Sequence, residues 1–244
     1  MPQTDDIIRD LAPTGRLRAT INLGNPVLAQ RGADGTLGGV SVAIAREAAR
    51  RLGLPLDLFS FDTAGLAFAA LRDEVCDMGF LAIDPERAEA LDYSAGYVRI
   101  EGTYLVRAAS DLRRAEDLDR EGLSILTGRN TAYDLYLSRT LTSATIVHAA
   151  TSQAAIAAFL DDKADACAGV RQPLAGAAAG RDDVRVLADA FQTIDQAVAL
   201  PRGRPLAHAW LGDLVETLKA SGFIAEALRA TGQDPAAAAP VVRP

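Results

Sequence analysis

Two ten-residue stretches, Phe68-Ala-Ala-Leu-Arg-Asp-Glu-Val-Cys-Asp77 and Ile156-Ala-Ala-Phe-Leu-Asp-Asp-Lys-Ala-Asp165, follow one pattern. Both read apolar-Ala-Ala-apolar-x-Asp-acidic-x-x-Asp, and the second begins 88 residues after the first. An Ala-rich apolar run ending in acidic residues fits the last turns of a helix closed by a tight turn. The apolar runs that come next, residues 78–82 and 166–170, fit short buried strands. Two copies at so long a spacing point to two similar α/β lobes, since a solenoid needs three or more shorter repeats.

The flanking sequence agrees. Residues 17–23 read as a strand, 40–52 as an amphipathic helix, 54–59 as a strand and 66–72 as a helix, an alternation that builds βαβ units and parallel sheet. Residues 108–122 are polar and charged, and the strand-like run 123–126 comes after them, so a lobe boundary is expected near residue 107. An extended run at 193–200, stopped by Pro201, leads into a helical pattern over 206–221. The expected division is therefore a discontinuous lobe one, residues 1–106 plus 197–244, and an inserted lobe two, residues 107–196, with hinges near 104–108 and 193–199. Lobes joined in this way are expected to leave a cleft, where small ligands bind beside the carboxyl ends of parallel strands.

Composition narrows the function classes. The chain has 244 residues, 25 Lys plus Arg against 32 Asp plus Glu, and a net charge of −7. An acidic chain without a basic cluster is a poor partner for a phosphate backbone, which argues against nucleic acid. Hydrophobic residues at 49% and charged ones at 23% describe a folded globular chain rather than a disordered one. No apolar run approaches the roughly 18 residues of a membrane-spanning helix. Met1-Pro-Gln-Thr-Asp-Asp-Ile-Ile-Arg-Asp10 has neither the basic nor the apolar region of a secretory leader, which leaves a cytoplasmic location open. Cys76 and Cys167 lack metal-ligand spacing and read as buried small hydrophobes.

The chemistry concentrates in Asp77-Met-Gly-Phe-Leu-Ala-Ile-Asp-Pro-Glu-Arg87. A strand ends near Leu81, and Asp84-Pro85 signals a new helix at its carboxyl end. First-turn N–H groups, the helix dipole and the Arg87 guanidinium would meet in one volume, a carboxylate site in outline. The alternative is that Arg87 pairs on the surface with Glu86, Glu89 or Asp92. His148 and His208 have no spacing partners for a metal, and no Gly-x-Ser-x-Gly elbow is present. The run 32–38 reads as a hairpin turn and not a phosphate loop.

Gly38-Gly-Val-Ser-Val-Ala-Ile-Ala-Arg-Glu47, Ile83-Asp-Pro-Glu-Arg-Ala88, Leu91-Asp-Tyr-Ser-Ala-Gly-Tyr-Val98 and Gly102-Thr-Tyr-Leu-Val106 resemble the extracellular solute-binding proteins of family 3, the polar amino acid binding components of ABC transporters. The resemblance extends more weakly through residues 126–133 and 197–203. It implies the type II periplasmic-binding-protein fold, two lobes of mostly parallel sheet flanked by helices and joined by a two-strand hinge. It also implies binding of a small carboxylate-bearing solute by hinge closure, no catalysis, no cofactor, an ABC permease as partner, a monomer and a periplasmic location. Arg87 would hold the ligand carboxylate, with main-chain groups of Phe80, Leu81 and Ala82 beside it. Asn22 and Asn25 would lie on the rim, unless they serve as turn residues. Gly128, Asn130 and Thr131 would offer N–H groups and a hydroxyl at a helix start in lobe two.

One departure from the family pattern stands out. Its amino acid binders place an Asp on the lobe-two strand to take the ligand ammonium, where this chain has Val170 followed by Arg171. A standard α-amino acid then fits poorly, and Arg171, if it faces the cleft, favours an acidic ligand. Otherwise Arg171 is a surface arginine capping a turn. Two other functions are compatible with the scaffold: a cyclohexadienyl or arogenate dehydratase, and the ligand-sensing module of a regulator. A regulator's helix-turn-helix would have no room ahead of the first strand at residue 17.

Overall fold

The computed structural model describes residues 3–242. Helix α1 (Thr4–Leu11) and strand β1 (Leu17–Asn22) are followed by the short strands β2 (Gln30–Arg31) and β3 (Leu37–Gly38), helix α2 (Val40–Leu52), β4 (Leu56–Phe61), α3 (Ala64–Arg72) and β5 (Gly79–Ala82). A single 3-10 turn, Arg87–Glu89, leads into the long strand β6 (Leu91–Arg107). Then come β7 (Ser124–Gly128), α4 (Ala132–Thr140), β8 (Thr145–Ala149), α5 (Ser152–Leu160), β9 (Ala166–Val170) and α6 (Arg171–Ala178). Strands β10 (Val184–Val186) and β11 (Gln192–Pro201) and helices α7 (Pro205–Ala220) and α8 (Phe223–Arg229) complete the chain.

The molecule divides into two compact units. Unit one comprises the residues up to Arg99 and from Asp195 onward, and unit two is Ile100–Ile194. The passages thus fall at 99/100 and 194/195, where the sequence pattern places them at 106/107 and 196/197. Both lie inside continuous strands, β6 and β11, so the polar stretch 108–122 marks the end of a strand and not the change of unit.

The repeated ten-residue pattern has one structure in both units. The hydroxyl of Thr63 caps α3 by accepting from Leu66 N–H at 3.3 Å, and that of Thr151 caps α5 by accepting from Ala154 N–H at 3.0 Å. After the helix ends at Asp73 or Asp161, the next residue turns left-handed, Glu74 with φ 54° and Asp162 with φ 60°. Asp77 then accepts from Arg18 N–H at 2.9 Å and donates its own N–H to Arg18 O at 2.8 Å. Asp165 does the same with Ser124, at 2.8 and 3.1 Å. Each aspartate ties the entry of one strand, β5 or β9, to the start of another, β1 or β7. Cap, left-handed residue and aspartate recur at the same offset of 88 residues, which chance matching in an Ala-rich sequence does not produce.

The strands so joined are parallel where the repeat predicts it. In unit one β1 pairs with β4 from Leu17↔Leu56 to Asn22↔Phe61, and β5 lies antiparallel to β11. In unit two β8, β7 and β9 are parallel, and β6 lies antiparallel to β9. Leu71, Cys76, Leu81 and Leu91 centre the core beneath α3, and Phe159, Leu126, Cys167 and Leu174 centre the one beneath α5. Gly39, at the start of α2, has φ 110°, and a Cβ there would lie 2.4 Å from Leu28 O, so only glycine fits. Residues 32–38 form the expected hairpin, with Asp34 accepting from Thr36 N–H at 3.0 Å. Among the described residues no helix is long and apolar enough to cross a membrane.

The two aspartates differ in surroundings. Asp77 is 0% exposed and also pairs with Arg18 at 2.6 Å and Arg204 at 3.6 Å, so Asp77→Ala takes its carboxylate partner from the partly buried Arg18, while Arg204 keeps Glu74 at 2.7 Å. Chemical denaturation should show a loss of about 3 kcal/mol for it. Asp165→Ala loses hydrogen bonds to Ser124 only, and about 1 kcal/mol is expected. The Ser124 hydroxyl and N–H hold the Asp165 carboxyl below its ordinary range, so its contribution is present above the unfolded value and fades as pH falls through the folded one. Cys76 and Cys167 are free and buried, and burial pushes their thiols up to about 11 and about 12. Iodoacetamide at pH 8 should therefore modify neither in the native protein and both after denaturation.

Candidate functional site

In unit one the segment after β5 departs from the helix expected at Asp84-Pro85. One carboxylate oxygen of Asp84 accepts from the N–H groups of Glu86 and Arg87 at 3.0 and 3.3 Å, and the coil closes after the three-residue turn Arg87–Glu89. The first-turn donors assigned to a ligand are thus partly taken by Asp84, and one turn has too few aligned peptides to raise a helix field. What the turn does supply is Arg87 itself, 3% exposed, with its guanidinium 5.8 Å above the ring of Phe68 from α3. A guanidinium is a planar fork of N–H donors, a shape that suits the two oxygens of a carboxylate. Burial lowers its pKa from the ordinary value, while Tyr93, Asp84 and Glu86 act in the opposite direction.

Tyr93, on β6, stands close enough to Arg87 to sense its charge, and its phenol oxygen is buried with no hydrogen-bond partner among the described residues. Burial pushes the phenol up to about 12, so it stays protonated and able to donate. Phe80 and Leu81 point into the core, Phe80 edge-on to Tyr97 with centroids 5.9 Å apart. Only their main chain is left for a ligand. β5 is the end strand of its sheet, paired along one edge with β11 in the register Ala82↔Gln196. Asn22 and Asn25 are turn formers: their side-chain oxygens accept from Gly24 N–H at 3.0 Å and Val27 N–H at 3.2 Å.

Unit two has the matching corner at the end of β7. Gly128 packs so closely on α5 that a Cβ would lie 2.7 Å from Ser152 N. Asn130 is left-handed with φ 57°, and Thr131 caps α4, its hydroxyl donating to Gly128 O at 2.9 Å and accepting from Asp134 N–H at 3.2 Å. The N–H groups of Arg129, Asn130 and Thr131 go to Ala149 O, the Asp134 carboxylate and Gly128 O. The donors expected of the 128–131 stretch therefore close their own turn. Ala132 and Tyr133, at the first two helical positions, are the N–H groups that the helix ladder itself leaves over.

Arg171 differs from the ligand-facing expectation. At the start of α6 its guanidinium donates to Glu101, to Leu187 O at 2.8 Å and to Ala188 O at 3.0 Å, so it braces the 187–189 segment within unit two. Asp134, Phe68 and Tyr93 are the residues that sequence reading missed. Asp134 is 3% exposed, accepts from Thr127 at 2.7 Å and Asn130 N–H at 2.8 Å, and lies 2.9 Å from His148 Nε2. Its position, three residues after the capping Thr131, was the available signal. Among the described residues no group of three or more side chains could hold a metal ion. A separate cavity of about 470 Å³ in unit two sits at the amino ends of β7 and β9, away from Gly128. Its main charges already pair, Arg107 with Asp162 and Arg120 with Asp111.

Among curated proteins none matches the sequence. Solved structures match over most of their length. A mutant of ArgBP from T. maritima is 20% identical, with 93% of this chain and 99% of that one covered and a TM-score of 0.79. The ancestral amino acid-binding protein AncCDT-1, a precursor of cyclohexadienyl dehydratase, is also 20% identical, covering 93% and 97% with a TM-score of 0.77. The substrate-binding protein of an amino acid ABC transporter is 18% identical, covering 88% and 98% with a TM-score of 0.76. At these identities the likeness establishes the type II periplasmic-binding-protein fold. Residues 17–230 match the family model of the bacterial extracellular solute-binding proteins, family 3, and the chain belongs to that family.

Proposed function

We propose that this protein is the substrate-binding component of an ABC transporter and captures a small carboxylate-bearing solute on Arg87. The observation that supports it is the buried guanidinium at the carboxyl end of β5, seated on Phe68 with the protonated phenol of Tyr93 beside it. Such a group can meet both carboxylate oxygens with charge-assisted bonds in a weakly screened place. The finer reading is that unit two joins the ligand by closure about β6 and β11, the two strands that pass between the units, and brings the start of α4 to it. A liganded, closed form would then be what a permease recognises, in the extracytoplasmic location for which the family is named.

A dehydratase on this fold would need a general acid. Tyr93, with a pKa near 12, is a weak one at neutral pH, which favours binding over catalysis at this site.

A thermal-shift screen of organic acids and amino acids tests the reading. A solute at about 100 times its dissociation constant adds roughly 2.7 kcal/mol of stability to the wild type. That gain should vanish in Arg87→Ala and shrink in Arg87→Lys, which keeps the charge and loses the fork. A ligand that stabilises all three proteins equally would remove Arg87 from the site.

A further inference from the structure

We infer that the solute is a carboxylic acid without an ammonium group, such as a 2-hydroxy or 2-oxo acid, and not an α-amino acid. This deepens the proposed function and rests on Arg87 as the carboxylate anchor. The acceptors at the strand ends distinguish the two kinds of acid. An α-ammonium carries three N–H donors and a full charge, and neutral main-chain oxygens meet the donors without balancing the charge, so a closed site that holds it is expected to provide a carboxylate.

In unit one the asparagines and acidic side chains at the carboxyl ends of β1, β4 and β5 are committed elsewhere or exposed, and the buried amide of Gln196, register partner of Ala82, offers an oxygen but no charge. The side-chain oxygens of Asn22 and Asn25 accept from their own turns, and Asp84 accepts from the N–H groups of Glu86 and Arg87. β5 itself ends on the methyl of Ala82. Ser94 donates to Ala95 O and accepts from Val198 N–H. Asp62, after β4, is exposed to solvent, where an ion pair is screened and weak.

Unit two, taken by itself, gives the same result. The Asp134 carboxylate already accepts from Thr127 and Asn130 N–H and faces His148 Nε2 at 2.9 Å. Glu101 is held by Arg171, and β9 ends on the isopropyl group of Val170, 9% exposed. Among the described residues, none of those that end β1, β4, β5, β7 or β9 is a buried, uncommitted carboxylate; Asp189, beyond β10, accepts from Ala115 N–H at 2.9 Å through one oxygen and has the other buried without a partner. The groups in place instead, Arg87 and the protonated Tyr93, are donors. Donors suit a carboxylate flanked by a hydroxyl or keto oxygen, and an ammonium beside them would be desolvated without repayment.

Calorimetric titration with matched pairs tests this: lactate against alanine, malate against aspartate, and 2-oxoglutarate against glutamate. At least one acid should bind the wild type, with its amino counterpart at least about tenfold weaker. Val170→Asp, which places a carboxylate at a position whose extended backbone accepts it, should narrow that ratio. An amino acid that binds as tightly as its counterpart, with affinity lowered by Arg87→Lys, overturns the inference and leaves the proposed function standing. A ratio unmoved by Val170→Asp overturns the part given to Val170. Binding indifferent to Arg87→Lys, or none by any pair, overturns the proposed function itself.

Discussion

Two aspartates hold the strand order of this molecule. Asp77 and Asp165 each exchange a pair of hydrogen bonds with the first residues of a neighbouring strand, and each does so just after a helix that packs over that strand pair. A short strand entering a parallel sheet has no hairpin to set its register. A carboxylate that accepts a main-chain N–H supplies one instead, because a slip by one residue would break that bond, at greatest cost for Asp77, which is buried. The helix, the left-handed residue and the aspartate form a single device. It is used twice, once in each unit, and it determines which strand ends lie together.

Those strand ends are where the chemistry collects, and few of their polar groups are left over. In both units the polar side chains at the turns serve mainly the turns: Asn22, Asn25, Asp84, Thr131 and Asp134 all accept main-chain N–H groups. That is the usual fate of short polar side chains in tight connections. Arg87 is different in kind. A long cationic side chain 3% exposed in a three-residue turn is costly to bury, and the fold offers it an aromatic shelf instead of the solvent it would otherwise reach. A cation held in so weakly screened a place is also where an incoming carboxylate gains most, because the attraction between them is little damped by water.

Membership of a solute-binding family limits the kind of function but does not name the solute. Structures with the same fold are 18% to 24% identical to this chain, a range in which the backbone persists while pocket side chains change. Specificity is decided by a few polar groups, and the informative ones here are the acceptors already committed and the apolar residues Ala82 and Val170 that end β5 and β9. A desolvated polar group without a partner costs far more than a lost methyl contact, so the set of satisfied and unsatisfied groups discriminates between ligands more sharply than shape does.

Much of the architecture was legible in the residues themselves. Helix 40–52 and strand 166–170 fall where their patterning places them, because apolar periodicity is a local property with a direct geometric consequence. The internal repeat was legible for the same reason, since its cap, turn and aspartate lie within fifteen residues of one another in each copy. The helix expected at Asp84-Pro85 was not to be had from local signals, because a capped proline turn propagates only if the downstream residues continue it, and here β6 begins at Leu91. The engagement of Arg171 with Glu101 and the 187–189 carbonyls was also beyond reach, as its partners are distant in sequence. By itself the sequence determined the elements, their duplication and the one arginine that stands out chemically. Only the tertiary structure decided which polar groups remain available to a ligand, because hydrogen-bond partners are assigned by proximity in space, and proximity exists only once the strands have been brought side by side.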